Sequence, residues 1–232
     1  MRLRTLIYLL ILPLSSLAQE NFNKAESLFA NKKFQEAQQI FESVIKQNPK
    51  NLKAIEYLGD IHGNFQQWNE ALAYYSKLRA LAPLEANYHY KYGGVLGMIA
   101  KESNKFKALG MISDIRNSFE KAISLNPKHI EARWALIELY LQLPGIVGGS
   151  ESKANRYANE LASISPVDGY LAKGKIAEYF NRYKTAEKQY LMAAAIGNSK
   201  MCYQKLSDLY TKMKQPEKSK QILLKYNEKF KS

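Results

Sequence analysis

The sequence predicts an all-α protein of about six stacked helix pairs, and three observations predict this class. Landmark residues recur with a period of 34 positions along a chain of 232 residues. Prolines mark the ends of successive repeats, and Leu, Ala, Lys, Glu and Tyr dominate the composition. Alternating runs of Val, Ile and Thr, which mark strands, are scarce. We therefore expect paired helices joined by turns.

The period is clearest in the first two repeats. The landmarks of the first are Ala25, Leu28, Phe34, Ala37, Phe41 and Pro49, and those of the second are Gly59, His62, Trp68, Ala71, Tyr75 and Pro83. Small residues such as Gly59 and Ala71 are expected where two helices cross closely. A larger side chain there would hold the helices apart, which typically costs about 1–3 kcal/mol.

Proline ends each repeat because it cannot continue a helix and disfavours helix at the residue before it. The stops are Pro49, Pro83, Pro127 and Pro166, so the third and fourth repeats are ten and five residues longer than the period. We predict that the extra residues of the third repeat lie between its two helices, around Lys101 to Gly110. Those of the fourth are Pro144 to Gly149. The sequence leaves open whether the third-repeat insertion is helical.

This pattern resembles the tetratricopeptide-repeat family, in which L-G-x2-Y is followed by A-x3-F and a closing proline. The second repeat matches best, through Leu58-Gly59, Ala71, Tyr75 and Pro83, and the sixth matches weakly. The resemblance implies a right-handed superhelical solenoid of antiparallel helix pairs. It also implies a concave groove, lined by the first helix of each pair, that commonly binds segments of other proteins.

The N-terminus predicts export. Two arginines precede an apolar run from Leu6 to Leu14, and small residues stand at the −3 and −1 positions of a cleavage point after Ala18. The run is shorter than the roughly 20 residues that span a bilayer, although an uncleaved anchor is the alternative. We predict a cleaved signal peptide at residues 1–18 and a repeat domain at residues 19–232.

The cysteine count and the net charge limit the possible compartment and partner. The only cysteine is Cys202, so neither a disulfide nor a bacterial lipid anchor at the cleavage point is expected. We expect a soluble periplasmic or extracellular protein of a bacterium. Removing the two arginines of the leader lowers the net charge from +13 to +11. A net charge of this size suggests nucleic acid as a partner. Export argues against such a partner, so we expect contact with anionic surfaces of the cell envelope instead.

The candidate catalytic motifs are incomplete, so we predict a non-enzyme with no cofactor and no metal. The segment from Gly148 to Ser152 departs from the G-x-S-x-G elbow, which needs a preceding strand and a final glycine. His129 and Glu131 lack the P-C-x-x-C half of a zinc deaminase motif. We interpret the loop glycines as supporting positive φ, with Ser150 or Ser152 as a helix cap. The residues of this loop that are candidates for partner contact are Gly145, Gly148, Gly149 and Ser150.

The predicted groove is more informative. The family alignment places four positions of each first helix in the groove, and acidic residues outnumber basic ones there. The predicted partner-binding residues are Glu56, Asp60, Tyr90, Trp134, Glu138, Lys175 and Asp208. A negative groove would repel the acidic chaperone tails that some cytosolic relatives bind. We expect a basic or aromatic-bearing segment, anchored on Tyr90 and Trp134.

The last helix has an apolar face and many lysines. Ile222, Leu223, Tyr226 and Phe230 share one face, as in a terminal repeat that covers its neighbour. A basic amphipathic helix can also lie on an anionic membrane.

The sequence thus predicts a non-catalytic scaffold of the cell envelope. The alternatives are a small-ligand or peptide-binding component of an envelope transporter and a peripheral membrane protein that uses its basic surface.

Overall fold

The computed structural model of the protein describes residues 19–230, so the predicted signal peptide at residues 1–18 lies outside the described part. Within residues 19–230 every regular element is helical, which confirms the predicted all-α class. The α-helices are α1 (19–30), α2 (Phe34–Gln47), α3 (Leu52–Asn64), α4 (Trp68–Leu81), α5 (Ala86–Glu102), α6 (Lys105–Leu125), α7 (Ile130–Gln142), α8 (Glu151–Ile164), α9 (Pro166–Tyr179), α10 (Tyr183–Gly197), α11 (Lys200–Lys212) and α12 (Pro216–Phe230). None of the helices described is long and apolar enough to cross a lipid bilayer.

The helices pack as consecutive pairs. Helix α3 packs on α4, α7 on α8, α9 on α10, and α11 on α12. Short links join the members of each pair except α7 and α8, which a longer loop connects. Helices in contact across short links run antiparallel. The described part of the chain divides into two compact units, residues 19–118 and residues 119–230, which we call the N-unit and the C-unit.

The N-unit core confirms the close helix crossings that the small residues predict. Ala71 is fully buried, and the ring of Tyr75 lies over Gly59. A Cβ atom on Gly59 would approach this ring to 2.7 Å. Residues without a bulky side chain at positions 59 and 71 therefore let α3 and α4 meet.

The C-unit repeats this arrangement. The ring of Tyr190 covers Gly174, where a Cβ atom would come within 2.4 Å of it. Tyr190 is nearly fully buried in a cluster with Leu206 and Leu209. The same glycine–tyrosine contact therefore pairs α9 with α10.

A shared turn joins the two helices in four of the repeats. One residue in each turn has a left-handed backbone with φ between 57° and 59°: Lys32, Gln66, Asn181 and Lys214. The next backbone N–H bonds a carbonyl of the preceding helix, as Gln67 does with His62 at 2.9 Å. These bonds satisfy carbonyls that would otherwise be unpaired at the helix end.

The insertion of the third repeat is helical, so the prediction that it separates the two helices is wrong. Helix α5 continues to Glu102, α6 begins at Lys105, and only Ser103 and Asn104 link them. The side chain of Asn104 accepts a hydrogen bond from the backbone N–H of Lys107 at 3.0 Å. This cap starts α6 early, and the inserted residues lengthen both helices.

The fourth-repeat insertion is a loop, as predicted. A 3₁₀ turn at Gly145–Val147 precedes Gly148, whose φ is +107°. A Cβ atom on Gly149 would overlap the carbonyl of Leu143 at 1.8 Å. Ser150 accepts a hydrogen bond from the backbone N–H of Lys153 at 3.2 Å and is the N-cap of α8. Gly148 and Ser150 thus have the structural roles that the sequence predicts, whereas Gly149 is required by the close approach of Leu143.

The terminal helix covers α11. Ile222 packs against the C-unit core, and the rings of Tyr226 and Phe230 lie 5.5 and 6.4 Å from that of Tyr203. These contacts support the interpretation of α12 as the capping helix of the array.

Candidate functional site

The candidate site is a cleft of about 410 Å³ in the C-unit, which we call the C-unit cleft. Residues of α7, α9 and α11, the first helices of three successive repeats, line most of it. Its lining residues are Trp134, Glu138, Asp168, Leu171, Lys175, Glu178, Tyr179, Tyr190, Met201, Lys205 and Lys212. Three of the predicted binding residues, Trp134, Glu138 and Lys175, therefore lie together.

Ion pairs connect the first helices across this cleft. Lys175 of α9 pairs with Glu138 of α7, and Lys212 of α11 pairs with Glu178 of α9 at 2.8 Å. The lysine side chains are 40% and 56% exposed, so water screens both pairs. Each carboxylate is therefore neutralised by the following repeat at little gain in stability.

Trp134 is held in place by the fold. Its indole N–H donates to Asp168 Oδ1 at 2.8 Å, and the other oxygen of Asp168 accepts from the Ser165 hydroxyl at 2.6 Å. The Trp134 ring also packs against the C-unit core. The predicted anchor thus presents only part of its ring to the cleft.

Tyr190 forms part of the cleft wall. Its hydroxyl donates to Glu178 Oε2 at 2.8 Å. Burial and the neighbouring Glu178 carboxylate raise the pKa of Tyr190 far above its ordinary value of 10.0. This tyrosine therefore remains a neutral hydrogen-bond donor at any physiological pH.

The predicted negative charge does not hold for this cleft. The acidic lining residues are Glu138, Asp168 and Glu178, and the basic ones are Lys175, Lys205 and Lys212, so their charges cancel. The count of charged residues at predicted groove positions missed Lys205 and Lys212, because they lie outside the four positions assigned to each first helix. A repeat-length spacing could have revealed Lys212, which follows Glu178 by 34 residues.

Lys205 differs from the other two lysines. Among residues 19–230, no carboxylate lies within 4.0 Å of its ammonium group, and its residue is exposed. The lining charge that is open to a partner is therefore a cation.

In the N-unit, Lys91 pairs with two of the predicted acidic residues and leaves the group of three with a net charge of −1. Its ammonium lies 2.7 Å from Glu56 Oε1 and 2.7 Å from Asp60 Oδ1. Asp60 also accepts a hydrogen bond from the Tyr75 hydroxyl at 2.5 Å. Burial and the Asp60 carboxylate raise the pKa of Tyr75 well above 10.0. Glu56 and Asp60 thus serve the packing of α3 against its neighbours.

The other predicted residues are not among those that line the C-unit cleft. Tyr90 is half-buried on α5 in the N-unit. Asp208 is exposed on α11 and accepts from Gln204 at 2.8 Å. The loop residues from Gly145 to Ser150 are not among those that line the cleft.

The histidine motif has a structural explanation. His129 accepts a hydrogen bond from the backbone N–H of Ala132 as the N-cap of α7, and its ring lies 3.2 Å from Glu131. Within residues 19–230, the acids, histidines and cysteine form no group of three that could hold a metal ion.

The paired helices, the glycine–tyrosine crossings and the cleft between first helices define a helical-repeat protein. Residues 28–92 match the sequence profile of the tetratricopeptide repeat. This match confirms the predicted resemblance to the tetratricopeptide-repeat family over residues 28–92. Proteins of this family bind other proteins or peptides, and a scaffold that mediates such interactions is the general function the fold supports.

Solved structures with the same fold cover most of the chain at low sequence identity. A thermophilic tetratricopeptide-repeat protein from Thermus thermophilus has a TM-score of 0.65 at 17% identity, covering 89% of this chain and 99% of its own. One from Parabacteroides merdae has a TM-score of 0.64 at 16% identity, covering 90% and 78%. PilF of Pseudomonas aeruginosa has a TM-score of 0.62 at 13% identity, covering 94% of both chains. No curated protein matches the sequence.

Proposed function

We propose that this protein is a non-catalytic scaffold of the cell envelope that holds a segment of another protein in the C-unit cleft. The observation that carries the proposal is the exposed apolar lining between α9 and α11. Tyr179 is 51% exposed and Met201 is 56% exposed, and both face the cleft. Large apolar side chains left open beside buried polar contacts are typical of surfaces that bind a partner.

The cleft favours an aromatic or aliphatic side chain of the partner. Leu171 and part of the Trp134 ring complete an apolar floor beside Tyr179 and Met201. An apolar side chain entering there would lose its contact with water, which stabilises a complex by about 25 cal/mol for each Å² buried. An aromatic-bearing segment, as expected from the sequence, fits this floor.

The ion pairs do not favour a strongly basic segment. A partner lysine or arginine would have to compete with Lys175 for Glu138 and with Lys212 for Glu178. Lys205 instead offers an open cation to the partner. The proposed segment therefore combines an apolar anchor with little net positive charge, which revises the basic partner expected from sequence.

The envelope location rests on the predicted signal peptide. Fractionation of the source cells with an antibody against the repeat domain tests it. We expect the protein in the periplasmic or extracellular fraction with Gln19 at its N-terminus. Recovery in the cytoplasm with residues 1–18 retained would contradict the envelope part of the proposal.

Crosslinking in cells followed by affinity purification tests the scaffold function. The cleft variant is Tyr179→Ser/Met201→Ser, and the matched control is Leu191→Ser/Ile196→Ser, which removes two exposed apolar side chains of α10 outside the cleft. We expect a partner that the wild type and the control capture and the cleft variant loses. The purified partner should then bind the wild type directly, with at least about tenfold weaker binding to the cleft variant.

Equal capture by all three proteins would contradict the assignment of the cleft. Specific binding of a small molecule to the cleft without any protein partner would favour the alternative of a ligand-binding component. The volume of about 410 Å³ lies within the range of small-ligand pockets, about 300–1,000 Å³. The exposure of Tyr179 and Met201 instead fits an open groove.

A further inference from the structure

The hairpin that joins α5 to α6 presents an unusual surface, which we call the α5–α6 tip and define as residues 101–109. It comprises the last turn of α5, the two-residue link and the first turn of α6. Phe106 is 89% exposed and Leu109, one helical turn later, is 44% exposed. These apolar side chains are neighbours on α6 because residues three apart share a helix face.

The tip is held firmly although its apolar side chains are not packed. Ser103 donates to the carbonyl of Ile99 at 2.8 Å, and Asn104 caps α6. The Trp68 indole donates to Glu102 at 2.7 Å and ties the end of α5 to the start of α4. Met111, farther along α6, packs against the N-unit core. These contacts hold the backbone of the tip, from which Phe106 is exposed.

Three lysines surround the exposed apolar residues. Lys101, Lys105 and Lys107 are all exposed, and in the described part of the chain no carboxylate lies within 4.0 Å of any of them. The acidic residue of the tip, Glu102, is bonded to Trp68. The tip thus carries a net charge of +2, and none of its lysines forms an ion pair within residues 19–230.

The position of these lysines opposes helix stability. Lys105 and Lys107 stand in the first turn of α6, which contains no acidic residue. The helix dipole places partial positive charge there and disfavours cations. Because these lysines have no ion pair within residues 19–230 and Phe106 is largely exposed, their chemistry points to a contact beyond the described residues.

We propose that the α5–α6 tip docks on an anionic lipid surface, with Phe106 and Leu109 entering the boundary between head groups and acyl chains. Lys101, Lys105 and Lys107 would then contact lipid phosphates, and the positive end of α6 adds to this attraction. Aromatic residues flanked by lysine are favoured at membrane interfaces. A protein partner fits less well, since lysine is depleted from protein–protein interfaces. This proposal does not depend on the C-unit cleft.

Co-sedimentation with lipid vesicles tests the proposal. The protein used in this assay comprises residues 19–232, because the apolar run from Leu6 to Leu14 would itself enter lipid. Vesicles contain either phosphatidylcholine alone or phosphatidylcholine with about one third phosphatidylglycerol, in about 0.1 M salt. We expect binding to the anionic vesicles only, and a loss of about tenfold or more for Phe106→Ser/Leu109→Ser. Neutralising the three tip lysines to Gln should have a similar effect and reduce the salt dependence.

Two matched variants control for general effects. Leu84→Ser removes another exposed leucine of the N-unit, 79% exposed, and should bind vesicles like the wild type. Replacing Lys218, Lys220 and Lys225 of α12 by Gln removes the same charge from another part of the protein. This variant should lose less vesicle binding than the variant with three neutralised tip lysines. A Phe106→Trp variant should show fluorescence quenching by brominated lipids beyond that of the wild type.

Three results would overturn the proposal. These are absence of wild-type binding to anionic vesicles, equal binding by the Phe106→Ser/Leu109→Ser variant, and loss of binding only on neutralising α12. Capture of a protein through Phe106 without any vesicle binding would likewise replace lipid as the occupant.

Discussion

Lys212 and Glu178 form an ion pair of 2.8 Å across 34 residues, which equals the length of one repeat. The second oxygen of the same carboxylate accepts a hydrogen bond from Tyr190 at 2.8 Å. Glu178 therefore joins α9 to both α10 and α11 and also lines the C-unit cleft. A residue that lines the candidate site thus also contributes to the packing of the fold.

Double-mutant cycles should separate the two contacts of Glu178. The pair with Lys212 is screened because the lysine is 56% exposed, so we expect a coupling of about 0.2–1 kcal/mol. The hydrogen bond from the buried Tyr190 to a charged acceptor should contribute more, about 1.5–3 kcal/mol. Urea denaturation of Lys212→Met, Tyr190→Phe and Glu178→Gln, singly and in pairs, measures both. A larger coupling for Lys212 than for Tyr190 would contradict this assignment.

Alanine substitutions at two helical glycines should have opposite effects. At Gly174 the new methyl would clash with the Tyr190 ring, and we expect a loss of about 1–3 kcal/mol. At Gly94 of α5 a Cβ atom meets nothing within 4 Å, so Gly94→Ala should stabilise the protein by about 0.5–1 kcal/mol. Chemical denaturation of both variants checks this contrast. Equal destabilisation by the two would show that Gly94 is also needed for packing.

The fourth-repeat loop offers a second contrast. Gly149→Ala should destabilise the protein by at least about 1–3 kcal/mol, because the backbone of Leu143 leaves no room for its Cβ. Gly145→Ala in the same loop should change stability by less than about 0.5 kcal/mol, since its Cβ would lie in open space. Thermal melts of the two variants test the comparison. Tolerance of Gly149→Ala would mean that the loop rearranges freely.

Acid should weaken the contact between Glu151 and Arg182. Arg182 donates two hydrogen bonds of 2.6 Å to this carboxylate, which lower the pKa of Glu151 below its ordinary value of 4.5. The contribution to stability is therefore present above pH 4.5 and is lost as the pH falls through the lowered pKa. Arg182→Gln should be less stable than the wild type at pH 7, with the difference shrinking at pH 3. Arg116→Gln, whose guanidinium contacts Ser113, is the control and should show no such trend.

Alkali should weaken the protein through buried tyrosines. Burial and a neighbouring glutamate raise the pKa of Tyr157 and of Tyr210 to about 12. The folded state thus holds these protons more tightly than the unfolded state, so stability is full below pH 10 and falls between pH 10 and about 12. Urea denaturation at pH 8 and pH 11 should show this decline, and Tyr210→Phe should reduce its slope. An unchanged slope would contradict the role of Tyr210.

Some features of the fold could be predicted because they are local. Gly59 and Ala71 marked a close helix crossing, and Ser150 marked a helix start. These features depend only on contacts within a repeat or between neighbouring repeats, since each landmark contacts a residue of the same or the next helix. The position of the third-repeat insertion could not be predicted in this way, because the length of an insertion alone does not distinguish a loop from two longer helices. In the structure, Asn104 caps α6, so that this helix starts early and the inserted residues lengthen both helices.

The candidate site could be predicted only in part. The repeat alignment placed Trp134, Glu138 and Lys175 together, and the structure brings all three to the C-unit cleft. It did not reveal that Lys91 forms ion pairs with both Glu56 and Asp60 in the N-unit. The long side chains of Lys91 and Lys212 reach acids on the first helix of the preceding repeat, from positions that a count of groove-facing residues omits.

The sequence by itself determined the all-α class, the repeat period and the residues that let helices cross, because these depend on contacts between successive helices. Only the tertiary structure decided the charge of the cleft and the exposure of Phe106. Charge balance depends on which side chains meet across repeats, as Lys212 meets Glu178. Exposure depends on which part of a lengthened helix has a neighbour to cover it, and the tip at Phe106 has no such cover within residues 19–230.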